Sequence, residues 1–375
     1  VNPRIAIVSD PLVQRGGAER VVETIAKAFP EAPVYAIVYS PKSGPASIAD
    51  RVVPSFLQRV PGAVSHHRLF VPFFPLAIES FDLSAYDVII SSHHTAAKGL
   101  LRNAAQRHIC YCHTPMRAIW EIPHQELRTL PRPLRPIAAV MMSRMRTWDA
   151  AAAVRVDQFV ANSAVTQERI AKHYGRLSVL VHPPIDTRHF TPGPDAVEDY
   201  YLVASRNVPY KRIDVAVEAT RLAKRRLVIT GSKSAQFDAP HVRQLGHVTD
   251  AELLHLMRGA KALLFPGLED FGMTPVEMMA CGRPVIAFAK GGALETVVEG
   301  VSGVLVEEQT SQAFARAIRR FERMTFDPAI VRRHAERFST ERFVAALQEI
   351  VYENGAYSVA SSSGQARRQP EFSPA

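Results

Sequence analysis

The sequence predicts an α/β protein made of two parallel-sheet units facing each other across a cleft. Short apolar runs alternate with amphipathic stretches along the chain, the pattern of strand–helix–strand layers. The stretch His182-Pro183-Pro184-Ile185-Asp186, followed by Pro192-Gly193-Pro194, punctuates the middle of the chain as a linker does. The chain has 375 residues, which at roughly 150 residues per domain suits about two domains.

In the first unit, the apolar runs at 4–8, 34–38, 88–91, 108–112 and 158–161 are expected as strands, with helices over 18–29 and 163–174. In the second, strands are expected at 201–205, 226–230, 262–265, 284–287 and 303–306. Helices are expected there over 213–223, 250–258, 274–280 and 311–323. The domain boundaries expected are 1–183 and 184–340. A helix over 341–357 should pack back toward the first domain. The tail 358–375, with Ser361-Ser362-Ser363-Gly364 and Arg367-Arg368, reads as disordered.

Composition narrows the function. Hydrophobic residues at 47% and charged residues at 22% are ordinary for a globular chain and exclude a coiled coil or wholesale disorder. No run approaches the ~18 apolar residues of a spanning helix; residues 70–78 come nearest and contain Pro72 and Pro75. Val1-Asn2-Pro3-Arg4 leads straight into an apolar run, so no secretory leader is expected. Cys110 and Cys112 alternate with Ile109 and Tyr111 as core strand residues do, and with distant Cys281 they make neither a zinc site nor a disulfide framework. A reducing cytoplasm is the simple expectation.

The net charge of +9 is unevenly placed. Residues 1–185 hold 21 Lys and Arg against 13 Asp and Glu, and residues 186–375 hold 24 against 23. The basic first half should attract polyanions: nucleic acid, anionic lipid or a diphosphate substrate. Arg59, His66, His67 and Arg68 border the apolar residues 69–76. Arg128, Arg132, Arg135, Arg144 and Arg146 surround residues 137–142. Basic residues beside apolar ones suit an anionic bilayer surface.

Four turns carry the chemistry. Asp10-Pro11-Leu12-Val13-Gln14-Arg15-Gly16-Gly17 follows a strand and opens a helix. Its paired glycines let a ligand approach the backbone, and the helix N-terminus favours an anion. It lacks the Gly-x-Gly-x-x-Gly pattern, which disfavours NAD. Arg206 and Lys211, just after a strand, can converge on a diphosphate, Arg through a planar fork and Lys as a compact charge. The segment from Phe265 through Glu269, Asp270, Phe271, Gly272 and Met273 to Thr274-Pro275 ends at a helix start, with Thr274 as the expected cap and Pro275 at the first helical position. Glu269 should precede that helix and Glu277 lie in its first turn, a spacing that lets one meet a sugar and the other a ribose. Gly291-Gly292 opens a further turn suited to a phosphate or a sugar hydroxyl.

Taken together, Glu269-x7-Glu277, Arg206 with Lys211, Gly16-Gly17 and Gly291-Gly292 resemble the retaining GT-B glycosyltransferases of family 4, over roughly residues 4–351. Tyr111-Cys112-His113-Thr114-Pro115-Met116-Arg117 is similar to a segment of bacterial members that build lipid-linked glycans, mannosyltransferases of the xanthan and acetan type. The resemblance implies a nucleotide-sugar in the second domain, with Glu277 on the ribose hydroxyls. Arg206 and Lys211 would neutralise the leaving diphosphate. Glu269 and the backbone from Phe271 through Gly272 and Met273 to Thr274 would contact the sugar. His113 would approach that sugar from the first domain, and Gly16 and Gly17 would leave room for diphosphate and acceptor. His113, Arg206, Lys211 and Glu269 are the candidate catalytic residues. GDP-mannose is the favoured donor and a polyprenyl-diphosphate-linked glycan the favoured acceptor, at the inner face of the cell membrane. No Asp-x-Asp motif is present, so no metal or other cofactor is expected. A nucleotide-sugar epimerase of the same shape, a basic nucleic-acid-binding protein and a catalytically dead binding protein are the rivals. The nucleic-acid reading lacks a recognition module and leaves Glu269 and Glu277 without a role.

Overall fold

The computed structural model describes residues 2–194, 196–231 and 233–353; the tail expected as disordered lies outside the described residues. The first domain is an all-parallel seven-stranded sheet. Its strands are β1 (Ile5–Ser9), β2 (Val34–Ala36), β3 (Val52–Pro54), β4 (Val88–His93), β5 (Arg107–Cys112), β6 (Gln158–Ala161) and β7 (Ser178–Leu180), in the order β3-β2-β1-β4-β5-β6-β7. The second is an all-parallel six-stranded sheet of β8 (Tyr201–Ala204), β9 (Leu227–Thr230), β10 (Val242–Gly246), β11 (Ala262–Phe265), β12 (Val285–Phe288) and β13 (Gly303–Val306), in the order β10-β9-β8-β11-β12-β13. Helices on both faces explain why the central strands read as continuous apolar runs: Ile90 pairs with Ile7 and Ile109, and Leu263 with Leu202 and Val285.

This topology positions the site. Strand order reverses between β1 and β4 in one sheet and between β8 and β11 in the other, and ligands bind at the carboxyl ends of strands flanking such a reversal. The turns after β1, β8 and β11 are the ones that carry Gly16-Gly17, Arg206 with Lys211, and Glu269.

Three strands absent from the expectations, β3, β7 and β10, lie at sheet edges or next to them and have no long apolar run. An 18-residue helix, Arg135–Ala152, occupies the basic-apolar stretch around residues 137–142. The chain crosses between domains twice, and the crossings are hydrogen-bonded to each other: Ile185 N–H donates to the Phe338 carbonyl at 2.9 Å, and Thr340 N–H to the Ile185 carbonyl at 3.0 Å. Helix Thr340–Glu353 then buries Phe343, Leu347 and Val351 in the first domain's core beside Ile7, Val21, Ile25 and Tyr111. The free cysteines Cys110, Cys112 and Cys281 are all buried. Among the described residues no helix is long and apolar enough to cross a membrane.

Candidate active site

The first wall is the turn after β1. Asp10, buried at its start, accepts backbone N–H groups from His94, Thr95, Ala96 and Ala97 at 2.7–3.1 Å, which locks the turns after β1 and β4 together. The turn ends at Gly16, whose N–H donates to Glu19 Oε2 at 3.0 Å as helix Gly17–Ala28 begins. A Cβ on Gly17 would lie 2.9 Å from Met273 Sδ, so this turn presses on the second domain.

The opposite wall comes from the turns after β8 and β11. Arg206 is exposed and reaches across the cleft, its Nη1 donating to Gln14 Oε1 at 3.1 Å. Lys211 Nζ is paired with the Glu269 carboxylate, both partly buried. The two turns pack tightly, because a Cβ on Gly267 would sit 2.9 Å from Lys211 Cα. Gly272 holds φ +83, a left-handed turn that redirects the chain into helix Met273–Ala280. This corrects the expected cap. Gly272 takes the capping position, Met273 is the first helical residue, and Thr274 and Pro275 already lie inside the helix. Glu277 is consequently the fifth helical residue, beyond the first turn.

Gly291 and Gly292 serve packing. A Cβ on Gly291 would lie 2.4 Å from the Glu269 carbonyl, and one on Gly292 would lie 2.2 Å from the Phe271 carbonyl. The space freed by the missing side chains is therefore filled by backbone, and Gly292 N–H donates to the Glu269 carbonyl at 2.9 Å. The helix they open, Ala293–Thr296, is a single turn. The Phe271 side chain is buried between His182 and Phe338, with ring centroids at 5.4 and 5.6 Å, which leaves its backbone toward the loop.

Glu277 is buried and accepts from Arg20 Nη1 at 2.5 Å. Burial pushes its carboxyl above the usual range, and Arg20 opposes that push. Arg20 also lies 3.7 Å from Asp250. Beside this pair is a cavity of about 570 Å³ whose lining includes Lys27, His189, Asp250, Met273 and Glu277. His113 stands at the end of β5, its Nε2 2.9 Å from Ser92 Oγ. Burial pushes its pKa down to about 3, so the ring is neutral and can take part in hydrogen bonds without carrying charge. Its ring meets Ser92, its N–H donates to the His93 carbonyl and its carbonyl accepts from Thr166 Oγ1, all within its own domain.

Several bridging residues escaped the sequence reading. Arg169 Nη1 donates to Asp270 at 2.5 Å and to Thr114 at 3.1 Å. Glu295 accepts from the N–H of Ala164 at 3.0 Å and lies 3.1 Å from His182 Nε2. The Arg117 guanidinium lies 5.4 Å from the Tyr210 ring centroid across the cleft. Asp270 was visible beside Glu269 in its motif. Thr114 and Arg117 were visible within the Tyr111–Arg117 segment, though not their contacts, and Arg169 and Glu295 carry no local pattern that points to their partners across the cleft.

Comparison with known proteins agrees with the two-sheet fold. A family model described as Glycosyltransferase Family 4 matches residues 15–189, and one described as Glycosyl transferases group 1 matches residues 184–339. D-inositol 3-phosphate glycosyltransferase of Geodermatophilus obscurus is 33% identical over 253 residues, covering 56% of this chain and 55% of that protein. Its namesake in Streptomyces bingchenggensis is 29% identical over 245 residues, covering 52% and 53%. The chain thus spans about half the length of the curated relatives it matches. Among solved structures, Anabaena Alr3699/HepE in complex with UDP and glucose superposes with TM-score 0.68 at 19% identity, covering 93% of this chain and 99% of that one. Sucrose-phosphate synthase from Thermosynechococcus elongatus superposes with TM-score 0.72 at 17% identity, covering 94% and 99%. At such identities the superpositions speak to the fold. Two glycosyltransferase domain models match this chain, one on each of its two parallel sheets, and together they span residues 15–339, the two-domain arrangement of the GT-B fold.

Proposed function

We propose that this protein is a retaining hexosyltransferase that moves a sugar from a nucleotide-sugar to a lipid-linked oligosaccharide, as in exopolysaccharide synthesis. The observation that carries the reading is the placement of Arg206, which reaches Gln14 across the cleft, and of Lys211, paired with Glu269, in the turns at the carboxyl ends of β8 and β11. As the bond from the sugar's anomeric carbon to the diphosphate breaks, negative charge gathers on the leaving oxygen. Arg206 and Lys211 oppose that charge where it develops. Lys211 is paired with Glu269; a diphosphate would compete for the ammonium and free the carboxylate to accept from a sugar hydroxyl. The acceptor oxygen forms the new bond on the face the diphosphate leaves, and its proton passes to a diphosphate oxygen. The paired-carboxylate scheme of glycoside hydrolases, which needs a nucleophile across the ring, is not invoked. Neutral His113 would orient a sugar hydroxyl from the first domain.

The cavity beside Glu277 falls within the size range of small-ligand sites, roughly 300–1,000 Å³, and would hold the nucleoside, its ribose displacing Arg20 from the carboxylate. GDP-mannose is the leading donor on the resemblance of the Tyr111–Arg117 segment. UDP-sugars are tested beside it because a structural neighbour was crystallised with UDP and glucose. With two fixed cations at the leaving group, no divalent ion is required by the proposal, and activity should survive chelation. Attachment to an anionic cytoplasmic membrane face fits the exposed Leu69, Phe73, Ile137 and Val140 beside Arg68, Arg135 and Arg144. Equal binding to neutral and anionic vesicles at low salt would defeat its electrostatic part.

The decisive experiment is a thermal-shift screen of GDP, UDP, ADP and their sugars, since a ligand of the folded form raises stability by mass action. One nucleotide class should stabilise the protein and support transfer. Lys211→Ala should keep the fold and lose transfer by about 10²-fold or more, the scale of removing one transition-state contact. Full turnover in that variant would sink the leaving-group assignment.

A further inference from the structure

We propose that a cavity in the first domain, between the turns after β2 and β3, holds a phosphate group of the acceptor; the proposal rests on the glycosyltransferase reading and specifies its acceptor subsite. The cavity measures about 620 Å³. Its wall carries Lys42, Arg59 and His67, with Ser40 and Ser65 between them, and no carboxylate. The walls are held in register by Gln58, whose side chain accepts from Tyr39 N–H at 2.9 Å and donates to the Tyr39 carbonyl at 3.0 Å.

Placement and charge argue for a ligand. The strands run in the order β3-β2-β1, so the turns that follow them gather at one carboxyl edge, beside the strand reversal where Gly16-Gly17 sits. Val13 lines the cavity, and the next residue, Gln14, holds Arg206. The cavity and the diphosphate cradle therefore share a wall. Elsewhere in this domain some arginines are matched to carboxylates, among them Arg4 with Asp87, Arg102 with Asp157 and Arg155 with Glu79. Among the described residues Lys42 and Arg59 have no such partner within ion-pair distance. Two cations without counter-ions beside serine hydroxyls recognise a phosphate monoester or diphosphate. The cavity exceeds what one phosphoryl group fills, which leaves room for the group that bears it.

Inorganic phosphate and geranyl phosphate are titrated by calorimetry, at low salt, into the full chain carrying Arg206→Ala and Lys211→Ala, so that the donor cradle cannot take the probe. Both should bind, and adding Lys42→Ala with Arg59→Ala should weaken each by about tenfold or more, the loss expected for two charge-assisted contacts. Unchanged affinity overturns the site. So does an equal loss from Arg132→Ala with Arg144→Ala, which removes the same charge elsewhere. Geranyl phosphate binding more tightly than inorganic phosphate, still dependent on Lys42 and Arg59, assigns the site to a lipid phosphate. Equal affinities with that dependence assign it to a free phosphate ester. Failure of the donor reading shows separately, as nucleoside-diphosphate affinity indifferent to Arg206→Ala and Lys211→Ala in the otherwise native chain.

Discussion

Gly292 shows how a residue's reason can differ from its motif. A glycine pair before a helix suggests a ligand turn, yet the Phe271 carbonyl would lie 2.2 Å from a Cβ here. Gly292→Ala should therefore force the two turns apart and lower stability by about 1–3 kcal/mol, the usual cost of overpacking, read by urea unfolding; a loss below about 0.5 kcal/mol, the size of an ordinary surface change, would contradict this. Lys211 and Glu269 were legible because charged side chains directly after apolar strands point to a strand-end site. Arg20 was not. Its partner Glu277 lies 257 residues away, and no local pattern marks a residue whose meaning is a contact across the cleft. Glu277 was named from its motif, but its burial and its pairing with Arg20 were beyond reach.

At the scale of elements, the central strands and their amphipathic helices were readable because burial on both faces writes apolar runs of recognisable length. Strands β3, β7 and β10 were missed for the complementary reason. Three to five residues long, they need few apolar side chains, and neighbouring backbone supplies their pairing. Helix Arg135–Ala152 was read only as a charged, apolar patch, because Ile137 and Val140 are 61% and 55% exposed and face no core. Helix Thr340–Glu353 follows the second domain in sequence and completes the core of the first. Phe343 is 2% exposed and its ring meets Tyr111 edge-on at 5.4 Å. Phe343→Ala should destabilise the first domain by about 3–5 kcal/mol, as for a buried aromatic. A second-domain transition that moves while the first stays put would refute that placement.

The whole molecule also carries a pH dependence. His93 and His108 are fully buried in the first domain, and His113 lies close by. Burial pushes His108 and His113 down to about 3 and His93 well below its ordinary value. Between pH 6.5 and about 3 the unfolded chain therefore binds protons that the folded chain refuses. Stability is complete above that window and falls as pH drops into it, by about 1.4 kcal/mol per pH unit for each histidine. Urea unfolding of the first domain at pH 7, 6 and 5 should show this slope, and His108→Gln should reduce it by about one such contribution. A flat profile in the native chain would mean the histidines titrate normally.

At this scale too, Arg20–Glu277, Arg169–Asp270, Arg206–Gln14 and the Glu295 bridge tie the domains together. By itself the amino-acid order determined the two sheet units, the linker between them and the strand-end turns that hold the candidate chemistry. Each of these is encoded by periodicity and punctuation within a few tens of residues. Only the tertiary structure decided which turns meet, that Gly291-Gly292 fill a packing gap, and which carboxylate Arg20 occupies. Those facts depend on how two separately encoded sheets are brought face to face, and contacts between chain segments hundreds of residues apart leave no trace in local pattern.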